Sequence, residues 1–165
     1  MANVSERPLD PNTFKSTQGC ARDAIGILAL GKHASDPSAI IEAIDAFVDD
    51  WQQGKRPPAE TLSEEDAPLV LGSLWGQQLV AQFGWQWAFV TFHDHGDSVA
   101  PGVLSPDRSL AVYPIHFLVG CLQDSNVDCT VALAFNMLAA GKIGKLKPRE
   151  YFNLMDGVHR IIPRR

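Results

Sequence analysis

Residues 63–92, SEEDAPLVLGSLWGQQLVAQFGWQWAFVTF, change their hydrophobic period once, at Gly84, and that change decides the fold class. Before Gly84, Leu69, Val70, Leu74, Trp75, Leu79, Val80 and Phe83 recur at helical spacing. Ser63 offers a hydroxyl to the amide three residues on, and Glu64, Glu65 and Asp66 stand where the positive end of a helix favours carboxylates. Gly84 suits the left-handed residue that closes such a helix. After it, Trp85, Trp87, Phe89 and Thr91 alternate with Gln86, Ala88, Val90 and Phe92, the period of a strand. Gly72 and Gly76 lie four apart on one helix face. Each costs roughly 1 kcal/mol there, so the pair predicts a close approach by another backbone. Trp75, Trp85 and Trp87 are expected in the core, where large indoles bury well.

Downstream, His93-Asp94-His95-Gly96-Asp97-Ser98 reads as a turn, and Val99–Leu104 and Ser109–Tyr113 as two further strands of an antiparallel meander. Pro114 opens an apolar stretch to Leu122 that reads as a helix, and Asp128 is placed to cap another helix that Gly141 ends. One more short helix is expected in the tail around Tyr151–Met155. Upstream, Asp36-Pro37 caps an amphipathic helix carrying Ile40, Ile44, Phe47, Val48 and Trp51 on one side and Glu42, Asp45, Asp49 and Asp50 on the other. A shorter helix is expected within Cys20–His33. Residues 1–18 are polar, hold Pro8 and Pro11 and show no period, which predicts a flexible arm. The expected architecture is α+β, with N-terminal helices packed on a small antiparallel meander and C-terminal helices following. Residues 19–165 would form a single domain, since 165 residues suit one core and no linker or repeat divides them.

The net charge of −5 is unevenly placed. Residues 1–140 hold 7 Lys and Arg against 17 Asp and Glu, a balance of −10, and residues 141–165 hold 7 against 2, a balance of +5. An acidic body disfavours nucleic acid and favours a cationic partner. No apolar run approaches the roughly 18 residues that span a bilayer, and no signal-peptide centre stands at the start, so the reading is cytoplasmic without a membrane. Cys20, Cys121 and Cys129 lack CxxC spacing and read as reduced thiols.

Catalytic and cofactor signatures are missing from the pattern. The sequence holds no Gly-rich phosphate loop, no GxSxG elbow and no HExxH. A metal centre would have to draw on His93 and His95 with His116. The preferred expectation is a binding protein without a cofactor, whose partner surface comprises Glu42, Asp45, Asp49, Asp50, Glu64, Glu65 and Asp66, with Trp51 as an anchor. Self-association through the Gly72/Gly76 face or through strand edges is a further alternative.

The run Leu71-Gly72-Ser73-Leu74-Trp75-Gly76 with Leu79, then Gly84-Trp85-Gln86-Trp87, and later Val112-Tyr113-Pro114-Ile115-His116-Phe117-Leu118, resembles a bacterial family known as domain of unknown function 3806. Those motifs cover about a third of the chain. The resemblance carries no catalytic residues over. Small α+β modules of this kind also resemble immunity proteins encoded beside secreted toxins, which makes a toxin the expected partner.

Overall fold

A computed structural model describes residues 3–161. The chain folds as β1 (Val4–Pro8), α1 (Pro11–Ile27), α2 (Pro37–Gln52), α3 (Ala67–Phe83), β2 (Gln86–Phe92), β3 (Ser98–Leu104), β4 (Leu110–Val112), α4 (Pro114–Gln123), α5 (Val131–Ala139), β5 (Phe152–Asn153) and α6 (Leu154–Ile161), with single 3-10 turns at Gly31–His33 and His93–His95. The α+β class and its helix–meander–helix order stand. The sheet is larger than the expected meander. Its order is β1-β2-β3-β4-β5, antiparallel except for the parallel β4–β5 pair.

In the stretch expected as an arm, the described residues, 3–18, form a strand and the start of a helix, while Met1 and Ala2 lie outside the described residues. Val4–Pro8 pair along β2, from Val4 opposite Phe92 to Pro8 opposite Ala88. Asp10 then accepts the Thr13 N–H at 2.8 Å with Pro11 at the first helical position, so α1 starts nine residues before Cys20. It follows the same Asp-Pro rule as α2, where Asp36 accepts the Ser38 N–H at 3.1 Å. The first turns of α1 are largely exposed, which is why they show no apolar period.

The helices cover one face of the sheet. α3 is the central one, with Leu71, Leu74, Trp75 and Leu79 fully buried between α1, α2 and α4. Its glycines explain how close the layers come. A Cβ at Gly72 would stand 2.8 Å from the Ile115 Cα of α4, and one at Gly76 would overlap the Trp87 indole of β2. The expected approach by another backbone is found at Gly72, whereas Gly76 makes room for a side chain, and both contacts remove the Gly72/Gly76 face as a surface for self-association. Gly84 closes α3 at φ 70°, its N–H donating to the Val80 carbonyl.

The other face of the sheet carries a smaller cluster of Ala88, Val90, Leu104, Ala111 and Tyr113, flanked by Val4, Phe92, Ala100 and Tyr151. The chain crosses to it after α5: the N–H groups of Arg149, Tyr151 and Phe152 donate to the carbonyls of Asp107, Arg108 and Ser109. The basic tail is therefore partly tied to the β3–β4 turn, while Ile162–Arg165 lie outside the described residues. Among the described residues no helix is long and apolar enough to cross a membrane.

Candidate functional site

The acidic face of α2 divides into two functions. Glu42, Asp49 and Asp50 are exposed, as the helical period requires once Ile40, Ile41, Ile44 and Val48 turn inward. Asp45 does not belong with them. It borders the apolar stripe, one position from Ile44 and three from Val48, and its carboxylate reaches α5. There it accepts the Ala132 N–H with both oxygens at 3.3 Å and the Cys129 thiol at 3.1 Å. Burial pushes its carboxyl above the ordinary range, against hydrogen bonds from Cys129, Ala132 and Val131 that pull it down. Asp45 thus supplies the N-terminal cap expected of Asp128; Thr130, at the cap position, makes no side-chain cap bond.

Asp128 is exposed and faces the same hollow instead. Asp45, Asp49, Gln52, Asp128, Cys129 and Thr130 surround a depression of about 510 Å³ between α2 and the α4–α5 loop. Gln52 holds the loop in place, its amide donating to the carbonyls of Cys121 at 2.9 Å and Val127 at 2.8 Å. Thr130 Oγ1 is buried at this hollow without a hydrogen-bond partner among the described residues. Sequence reading missed Asp128 as a lining residue because a carboxylate before an apolar run has the same signature as a helix cap.

Trp51 is not an anchor. It is 2% exposed, and its Nε1–H donates to the Leu122 carbonyl at 3.2 Å, so it ties α2 to the end of α4. Over it lies the Arg56 guanidinium, 4.5 Å from the ring centroid, which also bonds Glu64 at 3.2 Å. Arg56 neutralises one carboxylate of the second acidic group. Glu65 and Asp66 remain exposed, in a turn where Ser63 Oγ accepts the Asp66 N–H at 3.1 Å. Among the described residues no Lys or Arg forms an ion pair with Glu42, Asp49, Asp50, Glu65, Asp66 or Asp128.

The histidines do not converge. His93 uses both ring nitrogens locally, Nδ1 with Asp97 at 2.8 Å and Nε2 with Ser5 at 2.9 Å. His95 and His116 line another depression without it. Among the described residues no three His, Cys, Asp or Glu side chains are grouped to hold a metal ion. The thiols are free, and Cys121 and Cys129 are neighbours, with Cys121 Sγ 4.0 Å from the Asp128 carbonyl. Contact with Cys121, burial and the Asp45 carboxylate all push the Cys129 thiol far up, the reverse of what a nucleophile needs.

Fold and site together define an α+β domain with an exposed, largely unpaired acidic surface centred on one helix. Comparison with family models, with curated proteins and with solved structures gives no match. The likeness to domain of unknown function 3806 rests on its motif residues alone.

Proposed function

We propose that the chain is a protein-binding domain that takes a basic partner surface onto α2, and that it acts as an immunity-type protein covering a cognate secreted toxin. One observation carries the reading: Glu42, Asp49 and Asp50, with Asp128 across the hollow, face solvent without a basic partner among the described residues. Carboxylates left in this state create a field that speeds encounter with a cationic surface and set its orientation. The hollow beside Asp49 and Asp128 has room for an inserted Lys or Arg side chain. Leu69, 37% exposed and three residues past Asp66, offers apolar contact at the neighbouring turn.

The test uses the full chain as bait in extract of its native host, beside a Glu42→Lys/Asp49→Lys variant. A neighbour-encoded basic protein should be retained by the wild type and lost by the variant. With that protein purified, association should slow as salt rises, since exposed charges are screened within about 10 Å at 0.1 M salt. Retention of no protein by the wild type, or equal retention by both baits, sinks the proposal.

A further inference from the structure

The second face of the sheet opens into a groove that shares no residue with the acidic surface of α2. Phe92, Ala100, Tyr113 and Tyr151 form its aromatic and apolar side, and His95, His116, Asn153 and Asp156 its polar side, around a depression of about 480 Å³. A second depression of about 420 Å³ adjoins it, sharing Tyr113, His116, Asn153 and Asp156 and continuing along Phe117, Val127 and Met155. The two form one elongated trough with polar groups at its middle and apolar walls toward both ends.

Three features mark this trough as built rather than incidental. Tyr113 is 8% exposed as a residue, and its hydroxyl, which reaches the trough, bonds to no described residue and is left for water or a ligand. Its ring is fixed from behind: it lies over Gly102, where a Cβ would stand 2.8 Å from the ring, and Phe92 packs against it at 5.3 Å. Burial, with a smaller contribution from Tyr151, pushes the phenol up to about 12, so it stays a neutral donor and acceptor. Beside it, Tyr151 is held at φ 48°, a strained backbone for a residue with a side chain, by its N–H bond to Arg108 O at 2.9 Å and its hydroxyl bond to Glu6 at 2.7 Å.

The charge of the lining selects among ligands. Asp156 is its carboxylate, and among the described residues no Lys or Arg lines either depression. Arg108 and Arg149 lie toward the Tyr151 end, where both serve Glu6. Among these described lining residues an anion would meet the Asp156 carboxylate with no cation beside it. A cation would meet a carboxylate and the aromatic side chains of Phe92, Tyr113 and Tyr151, a lining whose chemistry favours organic cations. We infer that this trough binds a small alkyl cation, a guanidinium or ammonium group on an aliphatic stem. The head would sit among Tyr113, His116 and Asp156 and the stem along one apolar wall.

The probe is butylguanidinium, compared with its neutral isostere butylurea and with the anion pentanoate, in amide-resolved NMR titrations of the intact protein. Butylguanidinium should give saturable shifts at Tyr113, His116 and Asn153, with a dissociation constant on the order of 1 mM for so small a ligand. Butylurea should bind about tenfold more weakly or worse, and pentanoate should give no saturable shift. Asp156→Asn should abolish the preference for the cation. Tyr113→Phe, which removes only an unbonded hydroxyl, should weaken binding roughly threefold to tenfold while leaving the spectrum of the free protein nearly unchanged. Equal affinity for the cation and the urea, shifts centred on α2 instead of the trough, or no saturation by any of the three probes overturns the inference. Glu42→Lys should leave these shifts intact, which separates this outcome from failure of the partner surface.

Discussion

The carboxylate of Asp45 on α2 stands 3.3 Å from the Ala132 N–H of α5, so one helix supplies the cap of another 87 residues away. Burial keeps this carboxyl's pKa above the ordinary 3.8. The protonated form therefore suits the folded state better than the charged one. The linked stability is fully present below the unfolded value and is lost as pH rises through the raised folded value. Asp45→Asn, which keeps an acceptor oxygen, removes that dependence. Urea midpoints of the two proteins should favour the wild type most at about pH 3, with the difference shifting toward the variant by about pH 7. A difference that does not move between those two conditions would show that Asp45 carries no such linkage.

The same carboxylate governs Cys129, which donates to it at 3.1 Å while touching Cys121. With contact, burial and negative charge all acting against the thiolate, Cys129 should alkylate slowly in the folded protein. Asp45→Asn should speed its alkylation, because a neutral amide no longer opposes a negative sulfur. Peptide mass spectrometry after timed iodoacetamide labelling at about pH 8 reads this directly. Equal labelling rates in the two proteins would place the cause in the Cys121 contact and burial, not in Asp45.

Gly76 permits Trp87 to lie against α3, since a methyl group there would overlap the indole. Gly76→Ala should cost about 1–3 kcal/mol, seen as a lower denaturant midpoint at unchanged slope. Gly72→Ala should be destabilising for a harder reason: its nearest neighbour is the Ile115 backbone, which cannot rotate away as a side chain can. Gly19→Ala in α1 is the control. Nothing lies within 4 Å of its Cβ position, so the better helix propensity of Ala should stabilise by about 0.5–1 kcal/mol. A neutral Gly76→Ala would mean that β2 and α3 are packed less tightly than described.

Where the sequence could be read, the signal was local. The helix-to-strand change at Gly84 and the paired glycines report on contacts that α3 makes along its own length, and both came through in the fold. The start of α1 was equally local, since Asp10-Pro11 repeats the Asp36-Pro37 signature, but an exposed first turn hid it behind polar residues with no period. Other features have no local signature. Asp45 and Asp128 exchange the roles expected of them because the cap of α5 comes from a distant helix. Trp51 lies on the apolar side that the periodicity assigned to it, and that side is covered by the end of α4, which no spacing within α2 could reveal. The trough around Tyr113 depends on residues 149–153 returning to the sheet, a contact between segments some 40 residues apart whose own sequence reads only as a basic tail.

Arg108 grips Glu6 with Nε at 3.1 Å and Nη2 at 3.0 Å, and the same guanidinium reaches Gln86 at 2.9 Å and the Ser105 carbonyl at 3.1 Å. Tyr151 adds its hydroxyl to Glu6. One carboxylate on the edge strand β1 thus collects side chains from the β3–β4 turn and from the returning tail. Burial alone would raise the Glu6 pKa, but the hydrogen bonds of Arg108 and Tyr151 and the charges of Arg108 and Arg149 outweigh it and hold it below 4.5. With the sign reversed from Asp45, this stability is present above the unfolded value and is lost as pH falls through the lower folded value. Arg108→Ala should therefore cost about 1–3 kcal/mol at neutral pH, and the cost should shrink as Glu6 protonates in acid. Arg108 also holds φ 62°, so Arg108→Gly relieves backbone strain while removing the same side chain, and it should be about 1 kcal/mol less destabilising than Arg108→Ala. Hydrogen exchange locates the damage: in both variants the β1 amides that face β2 should exchange faster while those of α3 keep their protection. Unchanged exchange in β1 would mean that its ladder to β2 holds the strand in place without the Glu6 cluster.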